Sequence, residues 1–202
     1  MKVQIFMSKF VDVFTHLKYY RKERCENSIY YSNENLYTFV NDRSLEGGMH
    51  VLEMIIEALS WVIAFLLFYF LIPKLKKREA FISILVMQLF TWPLGFIVAE
   101  LKLISYPSRF FEYATTSSFT FEFLVFPVIS ALFNQYYPKR PTLLKVLTYS
   151  GLIVSVLTIA EVILELYTDN IEYIQWKWYW SWITMFILLY ISNRVWNRVI
   201  AK

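Results

Sequence analysis

Long apolar stretches recur along the chain, separated by short polar or charged segments. A transmembrane helix needs about 20 consecutive, mainly apolar residues. Five runs of that order fall at roughly 51–73, 80–104, 117–137, 143–166 and 175–193. The second and third carry the most polar residues. Backbone N–H and C=O groups in hydrocarbon must be satisfied within their own segment, so each run predicts a helix. A transmembrane β-barrel needs short alternating strands, which these unbroken runs do not offer. The predicted fold is all-α, an integral membrane bundle of five transmembrane helices.

Basic residues orient the bundle. Lys74, Lys76, Lys77 and Arg78 follow the first run, Lys139, Arg140 and Lys145 follow the third, and Arg194, Arg198 and Lys202 follow the fifth. Basic loops stay on the cytoplasmic side. The spans then begin outside and the C-terminus lies in the cytoplasm. Aromatic residues agree, because amphipathic rings favour the headgroup level. Trp176, Trp178, Tyr179, Trp180 and Trp182 crowd the outer start of the last span, and Trp92 lies in the second. They form an interfacial belt or, for those turned inward, a ligand-facing wall. The aromatic stretch 106–114, too polar for a span, predicts a short interfacial segment between helices 2 and 3 that covers the outer mouth.

Residues 1–50 differ in kind. They form a polar tail, with one amphipathic stretch (Ile5, Phe6, Phe10, Val11, Val13, Phe14, Leu17) suited to a membrane surface and a linker or disordered segment after it. Glu46-Gly47-Gly48 reads as the translation of a purine-rich ribosome-binding site. A native start near residues 49–52 is therefore expected, with the 51–202 bundle as the functional unit.

Composition narrows the classes. Of 202 residues, 57% are hydrophobic and only 18% charged, which is far from an ordinary soluble domain. The net charge of +4 comes from loops rather than a basic stripe, so nucleic-acid binding has no support. Cys25 is the lone cysteine, and His16 and His50 stand apart from the spans, so no metal site or cofactor is expected. No Gly-rich phosphate loop, nucleophile elbow or zinc-binding helix motif is present.

The candidate chemistry is carboxylic. Glu53, Glu57, Glu100, Glu122, Glu161 and Glu165 fall inside or at the ends of apolar runs. A charge in hydrocarbon needs a partner, a proton or a wet pocket. The predicted topology brings all six towards the outer face. Glu53, Glu57 and Glu165 lie close enough to span ends to reach water, whereas Glu100, Glu122 and Glu161 predict an internal polar site. Arg109 is the best candidate counter-ion, since its guanidinium can hold a carboxylate with two bonds. Pro93 and Pro127 predict kinks, with Gln88, Thr91 and Thr120 available to satisfy freed carbonyls.

Several of these residues also form a pattern. Thr91-Trp92, Gly95, Tyr106-Pro107, Arg109, Ser118-Phe119-Thr120-Phe121-Glu122-Phe123, Tyr167-Thr168, Ile171, Tyr173 and Trp176-Lys177-Trp178-Tyr179 together resemble a family of small multi-pass membrane proteins of endospore-forming bacteria. The resemblance covers roughly residues 51–195. It implies a helical bundle in the cell membrane and no particular activity. The function expected is a non-catalytic membrane interaction protein, associated with the envelope or sporulation, with an outward-facing acidic site. Its partners would be the lipid bilayer and a second copy or another membrane protein. The alternatives are a proton- or cation-binding transporter or channel and, last, an intramembrane lipid-modifying enzyme.

Overall fold

The computed structural model describes residues 36–111, 113–138 and 142–199. Among them are five α-helices: α1 (Leu36–Leu71), α2 (Lys77–Glu100), α3 (Phe126–Gln135), α4 (Leu143–Tyr167) and α5 (Trp178–Val199). A 3₁₀ turn at Lys74–Lys76 leads into α2, and a π-helical turn at Thr120–Val125 leads into α3. Three helical segments are long and apolar enough to cross a membrane: Val51–Leu71, Lys74–Glu100 and Leu143–Tyr167. Thr120–Gln135 is apolar but shorter.

Residues 36–50, expected as linker, continue α1 through Gly47 and Gly48 without a break. Extending a formed helix costs little compared with nucleating one, so a neighbouring span can carry a polar stretch in helical form. The surface helix expected at 5–17 lies outside the described residues.

Burial explains the short third rod. α3 packs on α1, α2 and α5, and Phe126, Val128, Ala131 and Phe133 are all buried. α1, α2 and α5 pack around it, and α4 packs on α5. On its α1–α2 side, Ala64, Ala80 and Ala131 let backbones approach closely around Ile72 and Ile84. On its α4–α5 side, Met87, Phe133, Val154, Met185 and Leu189 fill a second core. The outer helices show the reverse pattern. Val62, Phe65 and Tyr69 on α1, Leu152, Val156, Ile159 and Ile163 on α4, and Ile183 and Ile187 on α5 are all exposed. Apolar outer faces over an interior that holds many polar side chains are the reverse of the pattern of a water-soluble bundle.

The carboxylate end is closed by loops. α2 stops with paired backbone bonds, Lys102 N to Ala99 O and Leu103 N to Val98 O, which place Lys102 in the left-handed region at φ 53°. That helix-ending motif usually takes glycine, which has no Cβ to crowd the backbone. The turn aims the chain into a two-residue strand β1 (Ile104–Ser105), antiparallel to β2 (Glu172–Tyr173) with Ile104 opposite Tyr173. The Leu103 carbonyl accepts from the backbone N–H groups of Ile174, Gln175 and Trp176. These pairings join the α2–π and α4–α5 connections into one cap. The stretch 106–114, expected as a short interfacial segment, is built of turns at its described residues. Its backbone groups are satisfied by side chains and by the neighbouring loop rather than by a helical ladder.

Candidate functional site

Below this cap lies a cavity of about 320 Å³ whose wall is drawn from all five helices, the π-helical turn and both loops. Most of the lining is apolar, including Val98, Leu157, Leu164 and Leu188. Three carboxyl groups face it: Glu57 from α1, Glu122 from the π-helical turn and Glu161 from α4.

Glu122 is buried and sits against α2 at Gly95. A Cβ at Gly95 would collide with its carboxyl group, so only glycine leaves room there. Ser117 Oγ donates to Glu122 Oε2 at 2.8 Å. The π-helical turn that carries Glu122 follows from Pro127. Proline has no N–H, so the carbonyls four and five residues back, Phe123 and Glu122, lose their helical donor. Side chains of α2 replace it: Gln88 Nε2 donates to Phe123 O at 2.6 Å and Thr91 Oγ1 to Glu122 O at 2.8 Å. Both residues act as the sequence suggests. Thr120, the third candidate, accepts from Trp61 Nε1 instead, at 3.0 Å.

Glu161 is held from the other side. Tyr173 OH and Ser181 Oγ both donate to its Oε1, each at 2.7 Å, and Trp176 Nε1 in turn donates to Ser181 Oγ. Burial, reinforced by the nearby charge of Glu161, pushes the Tyr173 phenol far above its ordinary value, so Tyr173 stays a hydrogen-bond donor. Tyr106, in the cavity wall, is raised for the same first reason, burial, and then by Glu122 and Glu161.

Glu53 reverses an expectation, while Glu57 is also expected in the intramembrane acidic cluster. Placed near water by their position in the run, both are buried, at 2% and 7% exposure. The loops cover them, because each carboxylate accepts from a loop backbone. Asp169 N donates to Glu53 Oε1 at 3.0 Å and Phe110 N to Glu57 Oε2 at 2.7 Å. The two acids, one turn apart on α1, pin both loops over the cavity.

Glu100 moves the other way. It ends α2, is exposed and accepts from Thr116 Oγ1 at the loop surface, so it does not join the internal site. Glu165 is half-buried and also lies off the cavity wall. Arg109 donates to the carbonyls of Tyr106 and Thr115, which ties the loop to itself, and it does not line the cavity. The aromatic group divides. Trp176 lines the cavity; Trp178, Tyr179 and Trp180 are exposed at the start of α5; Trp182 donates to Ser155 between α4 and α5. Trp92 is exposed and packs within an aromatic cluster with Phe96, Phe119 and Phe123.

A second polar constellation escaped the sequence reading. At the opposite end of the bundle, Asn134 Nδ2 donates to Ser83 Oγ and Ser192 Oγ, while its Oδ1 accepts from Asn193 Nδ2. Ser130 and Ser192 share a 2.7 Å hydrogen bond. All five side chains are buried. The available signal was uncharged: small hydroxyl and amide residues recurring within the second, third and fifth apolar runs, the type that joins helices in lipid.

Among the described residues no group of His, Cys, Asp and Glu is arranged to hold a metal ion. No family model, curated protein or solved structure matches this chain.

Proposed function

We propose that this chain is a cell-membrane protein of five spans, with the acid-lined cavity towards the extracytoplasmic face. It works by binding a small molecule in that cavity, without chemistry of its own. The span count is supported by the exposed apolar faces of α1, α2, α4 and α5 and by the buried position of α3 among α1, α2 and α5. The orientation is supported by the basic residues Lys74, Lys76 and Arg78 at the end of the bundle away from the cavity.

The observation that carries the reading is the cavity itself. It is concave, mostly apolar and furnished with a few convergent polar groups, as small-molecule sites are. Among the described residues its lining includes no His, Cys, Lys or Arg. Ala160 lies in the wall, where a tryptophan would occupy the space. Native mass spectrometry of protein taken from its own membranes in mild detergent tests the reading. A non-covalent adduct in the wild type that is lost in Ala160→Trp supports it. Identical spectra from the two proteins would refute it.

A second reading, a proton- or cation-carrying module, is favoured by one feature. Glu122 rides on a π-helical turn, a geometry frequent at functional sites and next to a proline that weakens the local helix. Vesicles containing the protein should then show ion flux that Glu122→Gln abolishes; equal flux in both proteins argues against transport through this residue.

A further inference from the structure

The cavity is short of hydrogen-bond donors. Glu161 Oε1 takes both nearby hydroxyls, while its Oε2 is buried with no hydrogen-bond partner. Asn170 Oδ1, in the same wall, is likewise buried without one. Both unmatched atoms are acceptors, and buried acceptors are costly to leave unpaired. The polar groups are one-sided too: Glu57, Glu122 and Glu161 contribute carboxyl groups, and among the described residues no basic side chain lines the space. An ammonium group answers both deficits, bringing three donors and a positive charge.

The remaining wall sets the rest of the ligand. Val98, Leu157, Leu164 and Leu188 offer an apolar surface that a small hydrated cation would leave unused. The wall is also incomplete. α1 and α4 both line the cavity with little direct contact between them, and Ala160 is exposed although it belongs to the lining. A gap between two rods with apolar outer faces opens towards lipid.

Resting on the reading that this cavity is a binding site inside a membrane bundle, we propose that its ligand is a cationic amphiphile. This is an alkyl chain bearing a primary ammonium, taken sideways from the bilayer between α1 and α4. The ammonium donates to Glu161 and Asn170, the Glu122 carboxyl group lies in the same wall, and the chain lies along the leucine wall.

The test uses the full chain in neutral-lipid nanodiscs at pH 7, titrated with dodecylammonium, dodecanol and butylammonium and read by tryptophan fluorescence, since Trp176 lines the cavity. Dodecylammonium should bind saturably. Dodecanol should bind at least about tenfold more weakly for want of the charged hydrogen bond, and butylammonium at least about tenfold more weakly for want of apolar contact. Glu161→Gln should weaken dodecylammonium about tenfold or more while leaving dodecanol unchanged. Ala160→Trp should remove both long-chain ligands.

Equal binding of amine and alcohol, both lost in Ala160→Trp, would overturn the cationic class and leave the cavity reading standing. Butylammonium binding as tightly as the long chain would replace the bilayer amphiphile with an aqueous cation. Titrations that Ala160→Trp does not alter would overturn the cavity reading as well.

Discussion

The carboxyl group of Glu122 occupies the space that a side chain on Gly95 would fill. Two helices thus meet through an acid and an absent methyl group, and Ser117 holds the acid there. Because the colliding atoms are the far end of a flexible side chain, Gly95→Ala should preserve the fold but displace the carboxyl from Ser117. The expected cost is about 1–3 kcal/mol, that of a disturbed hydrogen bond to a buried acid. Ser117→Ala should cost a similar amount, and the double variant should cost clearly less than the sum, since both changes break one contact. Unfolding in detergent measures all three; strict additivity would mean that Gly95 acts elsewhere.

Gln88 and Pro127 should also be coupled. Gln88→Leu removes the donor that replaces proline's missing N–H at Phe123 O, at a cost of about 0.6 and at most about 1.7 kcal/mol by the standards of hydrogen bonds within membranes. Pro127→Ala supplies a backbone N–H again. In that background Gln88→Leu should cost less, and the same detergent unfolding assay reports it.

At the far end, Asn134 is the hub of three hydrogen bonds that join α2, α3 and α5. Asn134→Leu leaves Ser83, Ser192 and Asn193 each short of a partner. A loss of about 1–2 kcal/mol is expected if each contact follows the membrane average and some re-pair. Ser83→Ala, which removes one acceptor at the edge, should cost under about 1 kcal/mol. An effect of Asn134→Leu no larger than that of Ser83→Ala would deny the hub role.

Tyr173 gives the assembly an alkaline limit. Its phenol is raised on folding, mainly by burial, so the native state resists losing this proton. Its contribution is complete below the unfolded value near 10 and declines as pH climbs beyond it, by about 1.4 kcal/mol per pH unit. Tyr173→Phe should lower stability at pH 7 by removing the bond to Glu161, and should flatten the fall above pH 10. Melting temperatures of both proteins from pH 7 to 11 check this.

The helices were legible because run length and the need to satisfy backbone groups in lipid act locally. The predicted 143–166 and the observed Leu143–Tyr167 differ by a single residue. Pro127 likewise announced freed carbonyls, and Gln88 and Thr91 answer them. Depth along a run proved a poor guide to burial. Glu53 is buried because a loop from far along the chain folds over it, and Glu100 is exposed because its helix ends there. The β1–β2 ribbon and the Asn134 network were equally hidden, since each depends on which segments meet rather than on any one segment's composition.

Orientation is where the account is most directly exposed. In the Cys25→Ser background, single cysteines at Lys177, in the cap over the cavity, and at Lys76, at the opposite end, can be challenged in intact cells with a membrane-impermeant maleimide; both positions are exposed. With the cavity outside, Lys177→Cys reacts at once and Lys76→Cys reacts only after the membrane is permeabilised. The opposite order, or immediate reaction at both sites, would contradict an acid-lined chamber on the outer side.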